Sequence, residues 1–143
     1  MLYVGVDVHQ QSFQVCMLDE NGKVVKESKI RGGLMTLLQA LRGVGQPMAV
    51  CFEASCGYGH LHDHLAGIAE RVVVAHPGHL RLIYRSKNKN DRVDARKLAL
   101  LLMLDQVPPV HVPNLDTRDW REMIEYRVKL VNDRTQIKNR LRA

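Results

Sequence analysis

Three short stretches of the chain are almost entirely apolar and rich in β-branched residues, and they restrict the possible fold more than any other feature. They are LYVGVDV at 2–8, MAVCFEA at 48–54 and RVVVAH at 71–76. Continuous apolar runs of this length are typical of strands that are buried on both faces of a sheet. Leucines at helical spacing separate the runs, so the sequence predicts βαβ units in which helices cover the sheet.

Two further strands are predicted between the first and second of these runs. SFQVCML (12–18) alternates in polarity, and KVVKESKI (23–30) follows it after DENGK, which contains the Asn-Gly signature of a hairpin turn. The complete order of elements is β-β-β-α-β-α-β-α-α. This order predicts an α/β fold and resembles that of ribonuclease-H-like domains, a mixed five-stranded sheet flanked by helices.

The last part of the chain is predicted to contain a helix, a connector and a second, long helix. Asn90 or Asp91 caps a helix that runs to about Leu104. Prolines exclude QVPPVHVPN (106–114) from a helix interior, so this segment is predicted to be extended. From Asp116 the pattern is helical, with no stop signal. Seven residues follow the 3-4 spacing of a coiled-coil seam, although two of them are arginines: Trp120, Met123, Arg127, Leu130, Arg134, Ile137 and Leu141. We therefore expect the chain to be a fragment of a longer protein.

The charge of the chain is unevenly distributed around a net value of +6. Residues 1–70 carry 5 Lys or Arg against 7 Asp or Glu, whereas residues 71–143 carry 16 against 8. The asymmetry favours a polyanion partner for the second half, although a solvated surface explains the charge equally well. The longest apolar run, 98–104, is too short to span a bilayer. Three cysteines without a secretory signal predict a cytoplasmic protein with reduced thiols.

Two acidic residues lie near the ends of apolar strands. Asp7 is near the C-terminal end of the first run, and Glu53 is at the end of the second. An unpaired carboxylate in a buried strand is costly, so the presence of two indicates a shared function. Ligand sites of open α/β sheets lie beyond the carboxyl ends of the strands. The sequence therefore predicts one site that contains both acids.

A second pair of acids, Asp91 and Asp94, lies in the most basic part of the chain and shares a helix face at i, i+3 spacing. With Asp7 and Glu53 the pair offers four carboxylates, which suit Mg²⁺ or Mn²⁺. Two such ions can hold the attacking and leaving oxygens of a phosphodiester displacement. The cations near this pair are predicted to hold a nucleic-acid backbone beside the metals. They are Arg81, Arg85, Lys87, Lys89, Arg92, Arg96 and Lys97.

Each acid also has a purely structural interpretation. Asp91 can act as a helix N-cap, and Asp94 can pair with a lysine three residues later. Asp7 can close a turn, and Glu53 can cap the helix that follows CGYG. The combination of a strand Asp, a strand Glu and a DxxD helix in a basic segment favours the metal site. His76, which follows the third apolar strand, is a further candidate for approaching it.

Four longer motifs carry a family resemblance: VGVDVHQQSFQV, CFEASCGYGHL, HPGHLR and KNKNDRVDARKLA. Together they resemble the N-terminal domain of the DEDD transposases, the recombinases of the IS110 class of insertion sequences, to which pilin-gene inversion proteins are related. The resemblance covers essentially the whole chain. It implies a fold similar to that of the Holliday-junction resolvase RuvC. It also implies that Asp7, Glu53, Asp91 and Asp94 bind Mg²⁺.

The resemblance implies partners and a domain organisation as well. The implied substrate is DNA, and the implied reaction is strand cleavage and exchange. The resemblance also implies that an element-encoded RNA guides the protein and that the full-length protein is a homo-oligomer. Residues 1–105 would form the RuvC-like catalytic domain, 106–115 a proline-rich connector, and 116–143 a long helix leading to an absent C-terminal domain with a serine nucleophile. The fragment alone is not expected to be fully active. The protein is expected in the prokaryotic cytoplasm, associated with the nucleoid.

Three alternatives remain open from the sequence. A stand-alone structure-selective DNA nuclease of the same fold would use the same acids. A phosphotransferase of the actin and sugar-kinase type resembles the first strand motif, but that family has Gly-Thr or Gly-Ser where this chain has His9-Gln10. A non-catalytic nucleic-acid-binding module would use the cations and not the acids.

Overall fold

The computed structural model of the chain describes residues 1–83 and 91–142. Its centre is a five-stranded sheet with the strand order β3-β2-β1-β4-β5. The strands are β1 Leu2–His9, β2 Ser12–Leu18, β3 Val24–Arg31, β4 Met48–Glu53 and β5 Arg71–Ala75. β2 pairs antiparallel with both β1 and β3. β4 pairs in parallel with β1, and β5 pairs in parallel with β4. The sheet is therefore mixed, as the sequence predicts.

The β2–β3 hairpin forms where the Asn-Gly signature predicts it. Oδ1 of Asp19 accepts hydrogen bonds from the backbone N–H groups of Asn21 and Lys23, both at 2.9 Å. Gly22 has a φ of 75°, a conformation that glycine adopts without steric cost. The aspartate and the glycine thus set the turn, which fixes the pairing of β2 with β3.

Helices cover both faces of this sheet. The helices of the sheet-containing unit are α1 Leu34–Arg42, α2 Tyr58–Ala66, α3 Pro77–Ile83 and α4 Asp91–Met103, and α5 Leu115–Arg142 belongs to a second unit. α1 and α2 bury leucines against one face, in a cluster that includes Val4, Val6, Val15, Val50, Leu37, Leu38, Leu41, Leu61 and Leu65. α4 covers the opposite face with Ala95, Leu98, Ala99 and Leu102. Burial on both faces explains why β1 and β4 are apolar along most of their length.

The close approach of α4 to β1 depends on Gly5. A Cβ atom at this position would lie 2.0 Å from the carbonyl oxygen of Ala95 and 2.6 Å from the backbone nitrogen of Ala99. Both distances are far below van der Waals contact, so a glycine lets the helix backbone lie directly on the strand. The two alanines are fully buried in this contact. Gly5 thereby fixes the height of α4 above the sheet.

The proline-rich segment after α4 is extended, as predicted, and it lies along β5. The N–H of Val110 donates to the carbonyl of Val74 at 2.8 Å, and the N–H of His76 donates to the carbonyl of Pro108 at 2.8 Å. Valines of the segment also pack against the buried clusters. Residues 106–112 therefore belong structurally with the sheet.

The chain divides into two compact units, Met1–Val112 and Pro113–Ala143. The first contains the sheet and α1 to α4. The second contains the 28-residue helix α5, which begins where Oδ1 of Asn114 accepts a hydrogen bond from the N–H of Thr117. The boundaries predicted at 105 and 115 stay predictions. In the part of the chain that the structure describes, no helix combines the length and the apolar character needed to cross a membrane.

Candidate metal centre

The register of the sheet brings two of the predicted acids together. Val6 of β1 pairs with Phe52 of β4 in parallel, so Asp7 and Glu53 are the next residues on two neighbouring strands. Adjacent strands lie about 4.8 Å apart, and residues at matching positions point to the same face. Glu53 also pairs with Ala75 of β5, which packs in the cluster that α4 covers. The two carboxylates therefore share the α4 face at the carboxyl ends of β1 and β4.

The direction of α4 places its first turn at the same edge of the sheet. Ala95 lies over Gly5 in β1, and the side chain of Met103 lies next to Gly22 in the β2–β3 turn. That turn is at the opposite end of the sheet from the carboxyl end of β1, so α4 runs antiparallel to β1. The start of the helix therefore lies beside the two strand acids.

The start of α4 contains the other two predicted ligands. Asp94 is partly exposed, and its Oδ1 lies 3.4 Å from Nζ of Lys97. This ion pair is the structural interpretation that the sequence also allowed, and it is compatible with a site nearby. Asp91 begins the helix, but its side chain lies outside the described residues. Whether both aspartates contact metal stays a prediction.

His9 is a residue of this site that sequence reasoning missed. Its Nε2 lies 3.2 Å from Oδ2 of Asp7, and the Asp7 side chain is only 20% exposed. Alternation along β1 places positions 7 and 9 on the same face, so the Asp-x-His spacing was the available signal. At this distance a protonated His9 forms an ion pair with the Asp7 carboxylate.

The chemistry of the donor set fits a hard divalent cation. Asp7, Glu53 and Asp94 provide carboxylate oxygens, the ligands that Mg²⁺ prefers in proteins. Among the side chains that the structure describes, which do not include that of Asp91, no three His, Cys, Asp or Glu are close enough together to hold a metal ion. The fold brings the acids to one edge, and their joint coordination of an ion stays a prediction.

Arg92, one of the predicted DNA-contacting cations, forms an ion pair with the sheet. Its Nε donates to Oε2 of Glu27 in β3. Glu27 is only 15% exposed, and the Sγ of Cys16 lies 3.8 Å from its other oxygen. Burial and the charge of Glu27 raise the pKa of the Cys16 thiol to about 11. The thiol is therefore neutral at neutral pH. Glu27 carries the negative charge that forms the ion pair with Arg92.

The other predicted cations have varied positions. Lys97 pairs with Asp94, whereas Arg81 on α3 and Arg96 on α4 are exposed. Three of the seven lie outside the described residues: Arg85, Lys87 and Lys89. The role of the set in binding nucleic acid stays a prediction.

His76 is directed toward the start of α3. Its Nδ1 accepts hydrogen bonds from the N–H groups of Gly78 at 3.1 Å and His79 at 3.3 Å. Its ring stacks on that of His79 with the centroids 4.2 Å apart. These contacts give His76 a helix-capping role, and its approach to the acids stays a prediction.

Comparison with known sequences gives a consistent family. A family model described as "Transposase", that of the DEDD transposases of IS110 elements, matches residues 4–143. The transposase for insertion sequence element IS1111A of Coxiella burnetii is 29% identical over 140 residues, covering 98% of this chain and 37% of the relative. The transposase for insertion sequence element IS1533 of Leptospira borgpetersenii is 29% identical over 105 residues, covering 71% of this chain and 30% of the relative. The chain thus spans about a third of the length of these relatives.

Comparison with solved structures identifies the fold. Thermus thermophilus RuvC in complex with a Holliday junction substrate matches 77% of this chain and 99% of its own, with a TM-score of 0.55 and 10% identity. A second Thermus thermophilus RuvC structure matches 77% of this chain and 100% of its own, with a TM-score of 0.54 and 13% identity. The predicted RuvC-like, ribonuclease-H-like fold is confirmed.

Proposed function

The chain belongs to the DEDD transposase family of IS110 elements, and we propose that it is the metal-dependent DNA-cleaving domain of such a transposase. The observation that supports this most is the convergence of Asp7, Glu53 and the start of α4 at one edge of a RuvC-like sheet. Asp94 and Asp91 are the proposed ligands from that helix. Mg²⁺ or Mn²⁺ is the proposed cofactor, because carboxylate oxygens suit hard divalent cations.

The residues of the chain have separate tasks in this proposal. Asp7 and Glu53 come from adjacent strands whose backbone hydrogen bonds fix their spacing, whereas Asp94 comes from a helix held in place over Gly5. His9 orients the Asp7 carboxylate. Metal ions bound by these acids would supply Lewis-acid stabilisation of the attacking and leaving oxygens of a phosphodiester.

The proposed partners belong to the longer protein as much as to this domain. DNA is the proposed substrate, and an element-encoded RNA is the proposed guide. A second copy of the protein is the proposed assembly partner, and the prokaryotic nucleoid is the proposed location. The chain spans about a third of its relatives, so strand exchange is proposed to need the remaining segment as well, with its serine nucleophile.

Calorimetric titration with Mn²⁺ tests the proposed site. The chain should bind Mn²⁺, and Asp7→Asn and Glu53→Gln should each weaken binding about tenfold or more, because each removes a charged oxygen ligand. Asp133→Asn on α5 is the matched control, since it makes the same chemical change far along the chain from the acids. It should leave the Mn²⁺ affinity unchanged.

Two results would contradict the metal site. One is an unsubstituted chain that binds no Mn²⁺ at millimolar concentration while its circular dichroism shows it folded. The other is an affinity that Asp7→Asn, Glu53→Gln and Asp133→Asn all leave equal.

A stand-alone structure-selective nuclease is the second candidate function. It is favoured by the position of all four acids within Met1–Val112 and by the match of this chain to the full length of the RuvC chains. Cleavage of a four-way DNA junction by the purified chain with Mn²⁺, abolished by Asp7→Asn, would support it. Inactivity that is relieved by restoring the rest of the gene would support the transposase domain.

A further inference from the structure

The polar surface around the acids continues across the sheet toward β3. Asp7 of β1 pairs with Gln14 of β2, and Gln14 pairs with Lys29 of β3. Paired residues point to the same face of a sheet, so these three side chains form a row on the α4 face. The row leads from the candidate metal centre to a cation on the edge strand.

A second row runs parallel to the first, one step closer to the end of β1. His9 pairs with Ser12, and Ser12 pairs with Arg31. The first residue of the row is the histidine that contacts Asp7. The second row therefore also begins at the acids and ends at a cation on β3.

The ends of both rows line an open groove of about 660 Å³. The groove lies between the β1–β2 turn, the end of β3 and the start of α1, and its lining includes Ser12, Lys29 and Arg31. Strand pairing holds these three residues in place, so the groove is built on the rigid part of the fold.

The groove has the charge and the hydrogen-bonding capacity to bind an anion. Lys29 and Arg31 are exposed, and neither forms a salt bridge with any described residue. Ser12 is only 9% exposed and lines the groove, and its hydroxyl can donate a hydrogen bond.

The distribution of charge along the chain points to the same place. Four of the five cations in residues 1–70 lie between positions 23 and 31. The acidic half of the protein therefore concentrates its positive charge on β3 and in the turn before it, and two of these four cations, Lys29 and Arg31, line the groove.

We propose that this groove binds a backbone phosphate of the DNA strand that enters the metal centre. The inference rests on the proposed function and adds a binding site to it. Lys29 is two strand spacings from Asp7, about 10 Å. A DNA strand advances about 3.4 Å of helix axis per nucleotide, so the groove holds a phosphate within about three nucleotides of the one at the acids. Lys29 and Arg31 supply the charge, and Ser12 donates a hydrogen bond.

Fluorescence anisotropy with a labelled single-stranded DNA tests the groove. Lys29→Gln/Arg31→Gln should weaken binding about tenfold at ~0.1 M salt and lower the slope of log affinity against log salt by about 0.7 to 1.4, the loss of one or two phosphate contacts. Ser12→Ala should weaken binding less, without a change in slope. The matched control is Lys23→Gln/Lys26→Gln, which removes the same charge from the same hairpin. Lys26 pairs with Met17 and so lies on the opposite face of the sheet.

The outcomes separate this site from the proposed function. Equal losses in the two double variants would overturn the groove, because only net charge would then matter. So would a loss confined to an RNA strand of the same sequence, or no DNA binding by the unsubstituted chain. The Lys29→Gln/Arg31→Gln protein should bind Mn²⁺ at least as tightly as the unsubstituted chain, because removing two positive charges lowers the electrostatic repulsion of the metal ion. A selective DNA defect in a chain that binds no Mn²⁺ would support the groove and contradict the metal site.

Discussion

Gly5 couples the packing of the protein to the geometry of its candidate site. The backbone of α4 lies on β1 at this residue, with Ala95 and Ala99 above it. Asp94 immediately precedes Ala95, and Asp7 follows Gly5 by two residues in β1. The distance between the Asp7 and Asp94 carboxylates therefore depends on the contact between Gly5 and the two alanines of α4, in which the largest side chain is a methyl group.

Replacing Gly5 by alanine should damage both stability and metal binding. The added Cβ would lie within 2.6 Å of two backbone atoms of α4, so the helix must move away from the sheet. Overpacking of this kind costs about 2–3 kcal/mol of unfolding free energy. Urea unfolding followed by circular dichroism measures this loss, and calorimetry on the folded fraction should show weaker Mn²⁺ binding.

Gly67→Ala is the control for this experiment. Gly67 has right-handed helical backbone angles, and a Cβ there would meet its nearest atom at an ordinary 3.5 Å. Its unfolding free energy should change by less than about 1 kcal/mol. A Gly5→Ala protein as stable as the Gly67→Ala protein would show that α4 does not depend on this contact.

Single residues also show how far the sequence determines the site. Asp7 and Glu53 were predicted because a carboxylate in an apolar strand has a high desolvation cost, which a local pattern reveals. The roles of Lys29 and Glu27 were not predicted, because they depend on which residues face them across β2 and α4. Strand register and helix placement are long-range properties, and no spacing along β3 reports them.

At the scale of elements, the pair Glu27–Arg92 joins the edge strand β3 to the start of α4. The sequence assigned Arg92 to nucleic acid, since a basic run gives no sign of a distant carboxylate. The contact adds a second constraint on α4, near the end of the helix that carries the acids. It lies beside the buried thiol of Cys16, where an unpaired carboxylate would be poorly solvated.

A double-mutant cycle measures this connection. Arg92→Gln and Glu27→Gln should each destabilise the protein, and the double variant should lose less than the sum, with a coupling energy of about 0.5–1 kcal/mol because Arg92 is largely exposed. Urea unfolding of the four proteins provides the values. Additive losses would show that the two side chains do not interact in solution, and would leave Arg92 available to DNA.

The long helix α5 has many exposed apolar residues and no buried ones. Its seam residues follow the 3-4 spacing that the sequence showed, and several of them are more than half exposed: Trp120, Met123, Ile137 and Leu141. Isolated helices are only marginally stable in water, and an exposed apolar stripe stabilises a helix when a second helix covers it. A second copy of the chain is the predicted partner.

Sedimentation equilibrium tests this self-association. Leu130→Glu/Ile137→Glu places charges on the seam and should weaken dimerisation about tenfold or more. Asn132→Glu/Asn139→Glu adds the same charges at positions that point away from the seam, and it should leave the dimer intact. A chain that is monomeric without any substitution would show that the seam serves another partner.

At the scale of the whole molecule, the order of elements follows from local patterns, whereas the extent of a compact unit depends on long-range contacts. Alternating apolar and helical patterns are local, and the predicted order of strands and helices is confirmed. Prolines in 106–114 correctly indicated extended chain, but composition could not show that its first part pairs with β5. The sequence boundary at 105 and the compact unit Met1–Val112 differ by this segment.

Truncation at the two positions distinguishes these boundaries. Residues 1–105 lack the hydrogen bond from Val110 to Val74 and the packing of Val107, Val110 and Val112, which together should cost about 2–3 kcal/mol of unfolding free energy. Residues 1–112 keep these contacts, so their stability should equal that of the whole chain within about 0.5 kcal/mol. Urea unfolding followed by far-ultraviolet circular dichroism compares the three proteins. Equal stability of 1–105 and 1–112 would make the segment a true linker, and the segment would then have no part in holding β5 and its neighbour Glu53 in the sheet.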